Sequence, residues 1–169
     1  MNLAEPQKQK AGLILLDYQA TLVSNFHERA QWYAINKVKP YEGWIKKEQM
    51  RMNLVELLKA GNYRVILITA RPKEYQEITL EQIKQQTGGW LPDEWYFNEW
   101  KANPPICKRR ILNNYIYPKY GKKGSRFMAI ESNQQTRSMY KKAGIHALCF
   151  NNDWVEIPIK EQKIERGLI

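Results

Sequence analysis

The stretch GLILLDYQATLVS, residues 12–24, decides the fold. An apolar run stops abruptly on Asp17, and Thr21 follows four residues later. A short continuous apolar run with a polar stop reads as a strand buried on both faces, the kind a parallel sheet uses. Burial does not ask for an acid at its end, because a carboxylate is costly to bury without partners. The pattern recurs along the chain. YRVILIT (63–69) reads as a second strand that ends on Thr69, EWYF (94–97) as a short third, RFMAIE (126–131) as a fourth that ends on Glu131, and HALCF (146–150) as a fifth. In an open parallel sheet, ligands bind beyond the carboxyl ends of the strands. Any one polar strand end is explained by helix capping. Three of them, Asp17, Thr69 and Glu131, are better read as one site.

Amphipathic stretches separate these runs, which is the alternation of an α/β fold with a parallel sheet. KKEQMRMNLVELLKAG (46–61) sets Met50, Leu54, Leu57 and Leu58 on one helical face, with Gly61 at its end. PKEYQEITLEQIKQQTGG (72–89) reads as a helix that starts at Pro72 and stops at the glycines. PPICKRRILNNYIYPKYG (104–121) carries Ile106, Ile111, Leu112 and Ile116 on a helix, and QQTRSMYKKAG (134–144) is the last. There are no internal repeats or low-complexity segments.

The 169 residues suit one domain over 12–169 with a short polar tail at 1–11. Apolar residues at 43% and charged residues at 26% fit an ordinary folded domain. No apolar run nears the ~20 residues that cross a bilayer, so no membrane partner is expected. Cys107 and Cys149 are far apart and form no CxxC pair, which suits reduced thiols in a cytoplasmic protein. The formal charge of +10 attracts polyanions, nucleic acid or phosphorylated ligands. Its lysines and arginines are scattered, so a solvated basic surface explains it equally well.

With those residues in place, the chain resembles the haloacid dehalogenase (HAD) superfamily of phosphohydrolases over about residues 12–150. LLDYQAT matches the family's first motif in Asp17 and Thr21. VILITARPKEY supplies the second-motif Thr69 and looks like the T-x-R-P form of the nucleic-acid 3′-phosphatase and nucleotide-phosphatase branches, with Arg71. Lys108 in ICKRRIL fits the third motif, and Glu131 with Ser132 stands where the fourth places two acids. The resemblance implies a three-layer Rossmann-like domain with a five-stranded parallel sheet and at most a very small cap. It further implies Asp17 as a nucleophile that takes up phosphate, with Thr69 and Lys108 holding the phosphoryl oxygens. Thr21, Gln19 and Arg71 would line the substrate. Mg²⁺ would rest on Asp17, the Gln19 carbonyl and Glu131. Lys108 would pair with Asp17 in the absence of substrate.

Two positions depart from the family pattern. Gln19 replaces an aspartate that protonates the leaving oxygen, and an amide cannot exchange a proton usefully. Ser132 replaces an acid, which leaves two carboxylates, with Asn133 and Asp153 as substitutes that the sequence cannot place. Two functions follow: a Mg²⁺-dependent phosphatase acting on a phosphorylated nucleotide or nucleic-acid end, or a degenerate domain that binds phosphate-bearing partners without turnover. Around the motifs, Trp32, Tyr33, Tyr41 and Trp44 alternate with Lys37, Lys39, Lys46 and Lys47. Such a pattern either stacks bases or packs a small flap onto the domain. In GGWLPDEWYFNEWKANPP, Trp90 and Trp95 read as core and Asn98, Trp100 and Lys101 as candidates to reach a ligand. His27 and His146 have no spaced partner for zinc. The segment from 151 to 169 reads as a covering loop and a frayed helix.

Overall fold

The computed structural model describes residue 10, residues 12–37, residue 41 and residues 43–150. The expected tail apart from Lys10, together with Lys39, Asp153 and the covering segment 151–169, lies outside the described residues. Five strands, β1 (Gly12–Leu16), β2 (Tyr63–Pro72), β3 (Glu94–Asn98), β4 (Phe127–Ile130) and β5 (His146–Leu148), form one sheet in the order β3-β2-β1-β4-β5. Every pairing is parallel. The order turns outward in both directions from β1, so the switch point lies between β1 and β4, where a ligand crevice is expected.

Alternation along the strands builds two cores. Ile14 and Leu16 of β1 join Val65, Leu67 and Ile130 beneath α2 (Met52–Ala60) and α3 (Gln76–Gln86), through Leu54, Val55, Leu58 and Ile83. On the opposite face Leu13, Leu15, Ile66, Ile68 and Ala129 meet α4 (Pro104–Ile111) and α6 (Gln134–Lys142), through Cys107, Ile111, Met139 and Tyr140. The three-layer α/β architecture expected from the sequence is therefore observed.

Several boundaries differ from the sequence reading. Pro72 closes β2 rather than opening a helix, and a single turn (Lys73–Tyr75) intervenes before α3. Met50 lies outside α2 and bridges antiparallel to Val23, while Leu57 is 52% exposed and Val55 takes the inward place. The expected helix over 104–121 keeps helical backbone angles across both junctions but widens at Leu112–Ile116, between α4 and a short α5 (Tyr117–Tyr120) that begins beside Pro118. A proline ring cannot continue a regular helix at that point. Ile106, 48% exposed, lies outside the expected face. Trp90 and Trp95 pack against the core but are only partly buried.

Between β1 and α2 lies a small flap containing α1 (Arg29–Asn36), none of whose residues is buried. Trp44 is buried and meets the Trp32 ring at 6.0 Å, and Tyr41 lies 5.0 Å from Tyr75. The first contact packs the flap on itself, and the second seats it against the turn before α3. An apolar cavity of about 320 Å³ lies between α2 and strands β1, β4 and β5, lined by Ile14, Leu58, Met128 and Phe150 among others.

One close approach constrains the entry to β4. A Cβ on Gly124 would stand 2.5 Å from the Gly144 carbonyl oxygen and 2.6 Å from that of Ala143. Neither backbone atom can rotate aside. Gly124→Ala is expected to lower stability by about 1–3 kcal/mol, read as a fall in Tm of roughly 2–10 °C in a thermal melt.

Candidate active site

The strand ends converge as the sheet order requires. Asp17 follows β1, Thr69 lies in the last third of β2, and Glu131 follows β4. Asp17 N donates to the Ile130 carbonyl at 2.9 Å, which ties the first strand end to the fourth. Lys108 arrives from the other direction, on α4. That helix begins Asn103-Pro104-Pro105, and the Asn103 side chain accepts from Ile106 N while the prolines occupy positions with no helical partner for an N–H.

Lys108 is 1% exposed and donates to Asp17 Oδ1 at 2.6 Å and to Glu131 Oε2 at 2.5 Å. Burial alone would drive the proton off this amine, but the two carboxylates outweigh it and hold its pKa above the ordinary value. Burial raises Glu131 to about 7; Lys108 opposes that rise and Asp17 adds to it. The other Glu131 oxygen accepts from Asn133 N at 2.9 Å. Asp17 Oδ2 accepts from Thr21 Oγ1 at 2.8 Å and from Ser132 Oγ at 2.9 Å. Every proton donor here reaches the carboxylate from the protein, so Asp17 is fixed in one orientation.

Ser132 Oγ has two acceptors within reach. Its hydroxyl also lies 2.9 Å from the Gln19 carbonyl oxygen. One hydroxyl proton cannot serve two acceptors fully, so three oxygens from Asp17, Gln19 and Ser132 meet around a single proton. Hard oxygen donors with one formal charge fit a divalent ion such as Mg²⁺ that keeps several waters. Among the described residues, no group of three or more His, Cys, Asp or Glu side chains could hold a metal. Any ion would rest on this mixed set. Glu131, expected as a ligand, has both oxygens engaged by Lys108 and Asn133.

The loop after Asp17 presents the Gln19 carbonyl by an unusual path. Ala20 takes φ 59°, a left-handed conformation uncommon without glycine, and Val23 N closes the turn onto the Tyr18 carbonyl at 3.1 Å. The Gln19 amide nitrogen Nε2 is buried and has no hydrogen-bond partner among the described residues.

Arg71 is placed differently from the other motif residues. Fully buried, it forms a two-pronged ion pair with Glu48 and donates to Thr79 Oγ1 at 2.9 Å. Its guanidinium lies 4.4 Å from the Tyr18 ring, whose hydroxyl donates to the same Glu48 at 2.7 Å. Burial, then Glu48, raises the Tyr18 pKa well above its ordinary value. The pair links the flap to the strand that carries Thr69. No pattern in the sequence marked Glu48 as the partner, because 23 positions separate the two. Removing one member of a buried pair strands the other charge. Glu48→Gln is therefore expected to lower stability by roughly 3–5 kcal/mol, measured by urea unfolding near neutral pH.

Thr69 Oγ1 accepts from Arg71 N at 3.1 Å. Cys107, next to Lys108, is a packing residue: it faces the Thr69 carbonyl, and burial pushes its thiol up to about 11. Asn98 is a structural knot rather than a ligand-facing group. It donates to the carbonyls of Ala70 and Ala102 and accepts from Trp100 N. Trp100 lies 6.3 Å from Tyr115, with Arg110 over its ring at 5.8 Å. The His27 side chain is 79% exposed.

No family profile and no curated protein matches the chain. Solved structures do. A chain of the Pnkp1/Rnl/Hen1 complex matches with a TM-score of 0.58 at 18% identity, over 88% of this chain and 48% of that one. This chain thus spans about half the length of that relative. Phosphoserine phosphatase in its apo form matches with a TM-score of 0.51 at 20% identity, over 84% and 88% of the two chains. A hydrolase from Streptococcus pneumoniae TIGR4 gives 0.51 at 14% identity, over 92% and 99%. At these identities the likeness shows the fold alone: the chain shares its fold with the solved phosphatase and hydrolase structures it matches.

Proposed function

We propose that this protein is a Mg²⁺-dependent phosphohydrolase that passes a phosphoryl group from a phosphorylated nucleotide or nucleic-acid end to Asp17 and then to water. One observation carries the reading. The Asp17 carboxylate is buried at the sheet's switch point and oriented by Lys108, Thr21 and Ser132. An acid so placed is an expensive way to build a core and a suitable way to build a nucleophile.

In the first step an Asp17 oxygen attacks phosphorus and the bond to the leaving oxygen breaks. In the second, water attacks the aspartyl phosphate, the electron pair returns to Asp17, and phosphate leaves. Lys108 offsets the charge gathered by the phosphoryl oxygens, with Thr69 as a second donor at the neighbouring strand end. Thr21 and Ser132 keep the carboxylate from rotating. Asp17, the Gln19 carbonyl and Ser132 would hold Mg²⁺, with Glu131 beside them. The ion, when bound, shields the carboxylate from the phosphate charge. Arg71 would reach substrate only by giving up Glu48.

The nucleotide or nucleic-acid part of the reading is supported by the TARP motif, by the net charge of +10, and by likeness to a chain from an RNA repair complex. The test is phosphate release from nucleotides, phosphoserine and 3′- and 5′-phosphorylated oligonucleotides, with Mg²⁺ and with EDTA. Release that needs Mg²⁺ and is faster from nucleotides or phosphorylated oligonucleotides than from phosphoserine is expected. A wild type silent on every substrate that still binds oligonucleotides in a salt-sensitive way would favour the second reading, a phosphate-binding domain without turnover. Gln19 and Ser132 are the residues that speak for that alternative.

A further inference from the structure

Three buried side-chain nitrogens lack a hydrogen-bond partner among the described residues: Gln19 Nε2, Trp44 Nε1 and Arg71 Nε. Only the first belongs to the loop that carries the nucleophile. Leaving a buried N–H unpaired costs free energy, and such exceptions in a folded protein call for an explanation. A ligand oxygen that pairs with the amide once substrate is bound supplies one.

Among the described residues, the site holds no acid besides Asp17 and Glu131. Both Glu131 oxygens accept hydrogen bonds, from Lys108 and Asn133 N. Lys108 is fixed between two carboxylates, and Thr21 and Ser132 direct their hydroxyls at Asp17. His27 stands in solvent. Gln19 can donate a hydrogen bond but cannot give up a proton.

Resting on the phosphohydrolase reading, we infer that Gln19 is a specificity-determining residue. Its neutral amide steadies a leaving group that departs as an anion, and among the nucleotides and nucleic-acid ends of that reading this favours phosphoanhydrides, such as nucleoside di- and triphosphates and 5′-triphosphate ends, over monoesters. Alkyl phosphate monoesters are poor substrates. The steps balance without an acid. The Asp17 carboxylate bonds to the terminal phosphorus, the P–O bond to the bridging oxygen breaks, and that oxygen keeps the electron pair as part of a phosphate anion. Phosphate is at home as an anion near neutral pH. An alkoxide resembles hydroxide, whose parent water has a pKa of about 15.7, and it must be protonated as it leaves. Water then attacks the aspartyl phosphate, and both of its protons leave with the dihydrogen phosphate product.

The test compares kcat/KM for a nucleoside diphosphate, a nucleoside monophosphate and a graded series of aryl and alkyl phosphates, in wild type, Gln19→Asp and Gln19→Leu. Wild type is expected to fall steeply as the leaving group becomes more basic. Gln19→Asp, which restores an acid, should flatten that slope by raising the alkyl rates about 10²–10⁴-fold relative to the anhydride. Gln19→Leu should melt higher than wild type without ligand, because the orphan donor is gone, and show a smaller Tm rise with orthovanadate. It also serves if Gln19→Asp does not fold. A wild type that cleaves alkyl and aryl phosphates alike overturns the inference and leaves the phosphatase reading standing. Silence from all three proteins, even on the most activated aryl phosphate, overturns both.

Discussion

Asp17→Asn is expected to reduce phosphate release by about 10⁴–10⁶-fold, the range seen when one member of a covalent catalytic unit is removed. The amide has the shape of the carboxylate but lacks the negative charge that makes its oxygen a nucleophile. Its expected effect on stability runs the other way. In the wild type one buried ammonium, Lys108, faces two buried carboxylates, Asp17 and Glu131, so the cluster has a formal excess of one negative charge. The substitution leaves one cation facing one anion. Tm should therefore be unchanged or higher, as happens where a site keeps charges for function that folding alone would discard. Measuring both quantities on the same preparation separates lost chemistry from lost fold. A variant that keeps more than a tenth of wild-type turnover with Tm intact would exclude Asp17 as the nucleophile.

The sheet was legible because its strands are buried on both faces. GLILL, RVILI and FMAI admit no helical periodicity of their own, and each runs into a polar residue, Asp17, Thr69 or Glu131. The convergence of Asp17 and Glu131 was legible for a related reason: strand ends in a parallel sheet point one way, so order along the chain predicts proximity, whereas Lys108, on α4, was legible only through the motif it resembles. Errors fell where a local signal competed with a tertiary one. Pro72 looks like a helix opener, yet it pairs with Asn98 at the edge of a strand register that has already slipped. Leu57 continues an apolar stripe that the sheet has no room to cover, and Val55 is buried instead.

Arg71 shows the limit most clearly. Its place after Thr69 suggested a hand for phosphate, but its occupant is Glu48 from the flap, a pairing that no spacing rule could reveal. The role of Ser132 was equally hidden. As a substitution it counted as the loss of an acid, whereas in the structure its hydroxyl joins Asp17 to the Gln19 carbonyl. The basic, aromatic flap looked like a stacking surface, and the contacts of Trp44 and Tyr41 show at least those rings spent on packing.

Lys108→Met is expected to cost about 3–5 kcal/mol of stability at neutral pH, because it leaves two buried carboxylates facing each other with no cation. Methionine fills most of the space, so the loss is electrostatic rather than a cavity. The pH dependence identifies it. In the wild type the Glu131 carboxyl is already raised to about 7, by burial first and despite Lys108. A carboxyl whose folded pKa lies above its unfolded value binds more protons in the folded state. Its contribution is therefore most favourable below the unfolded value and is lost as pH rises through the folded one. Removing Lys108 removes the influence that opposes the rise, so the variant should lose stability over a wider and higher span of pH than the wild type. Urea unfolding at pH 5, 6.5 and 8 should show the two proteins closest at pH 5 and furthest apart at pH 8. A gap that stays constant with pH would mean that Lys108 does not neutralise the pair. The double variant Asp17→Asn with Lys108→Met completes the argument: it leaves Glu131 as the one charged group of the three, and most of the loss should return, a coupling expected only of residues that share one electrostatic cluster.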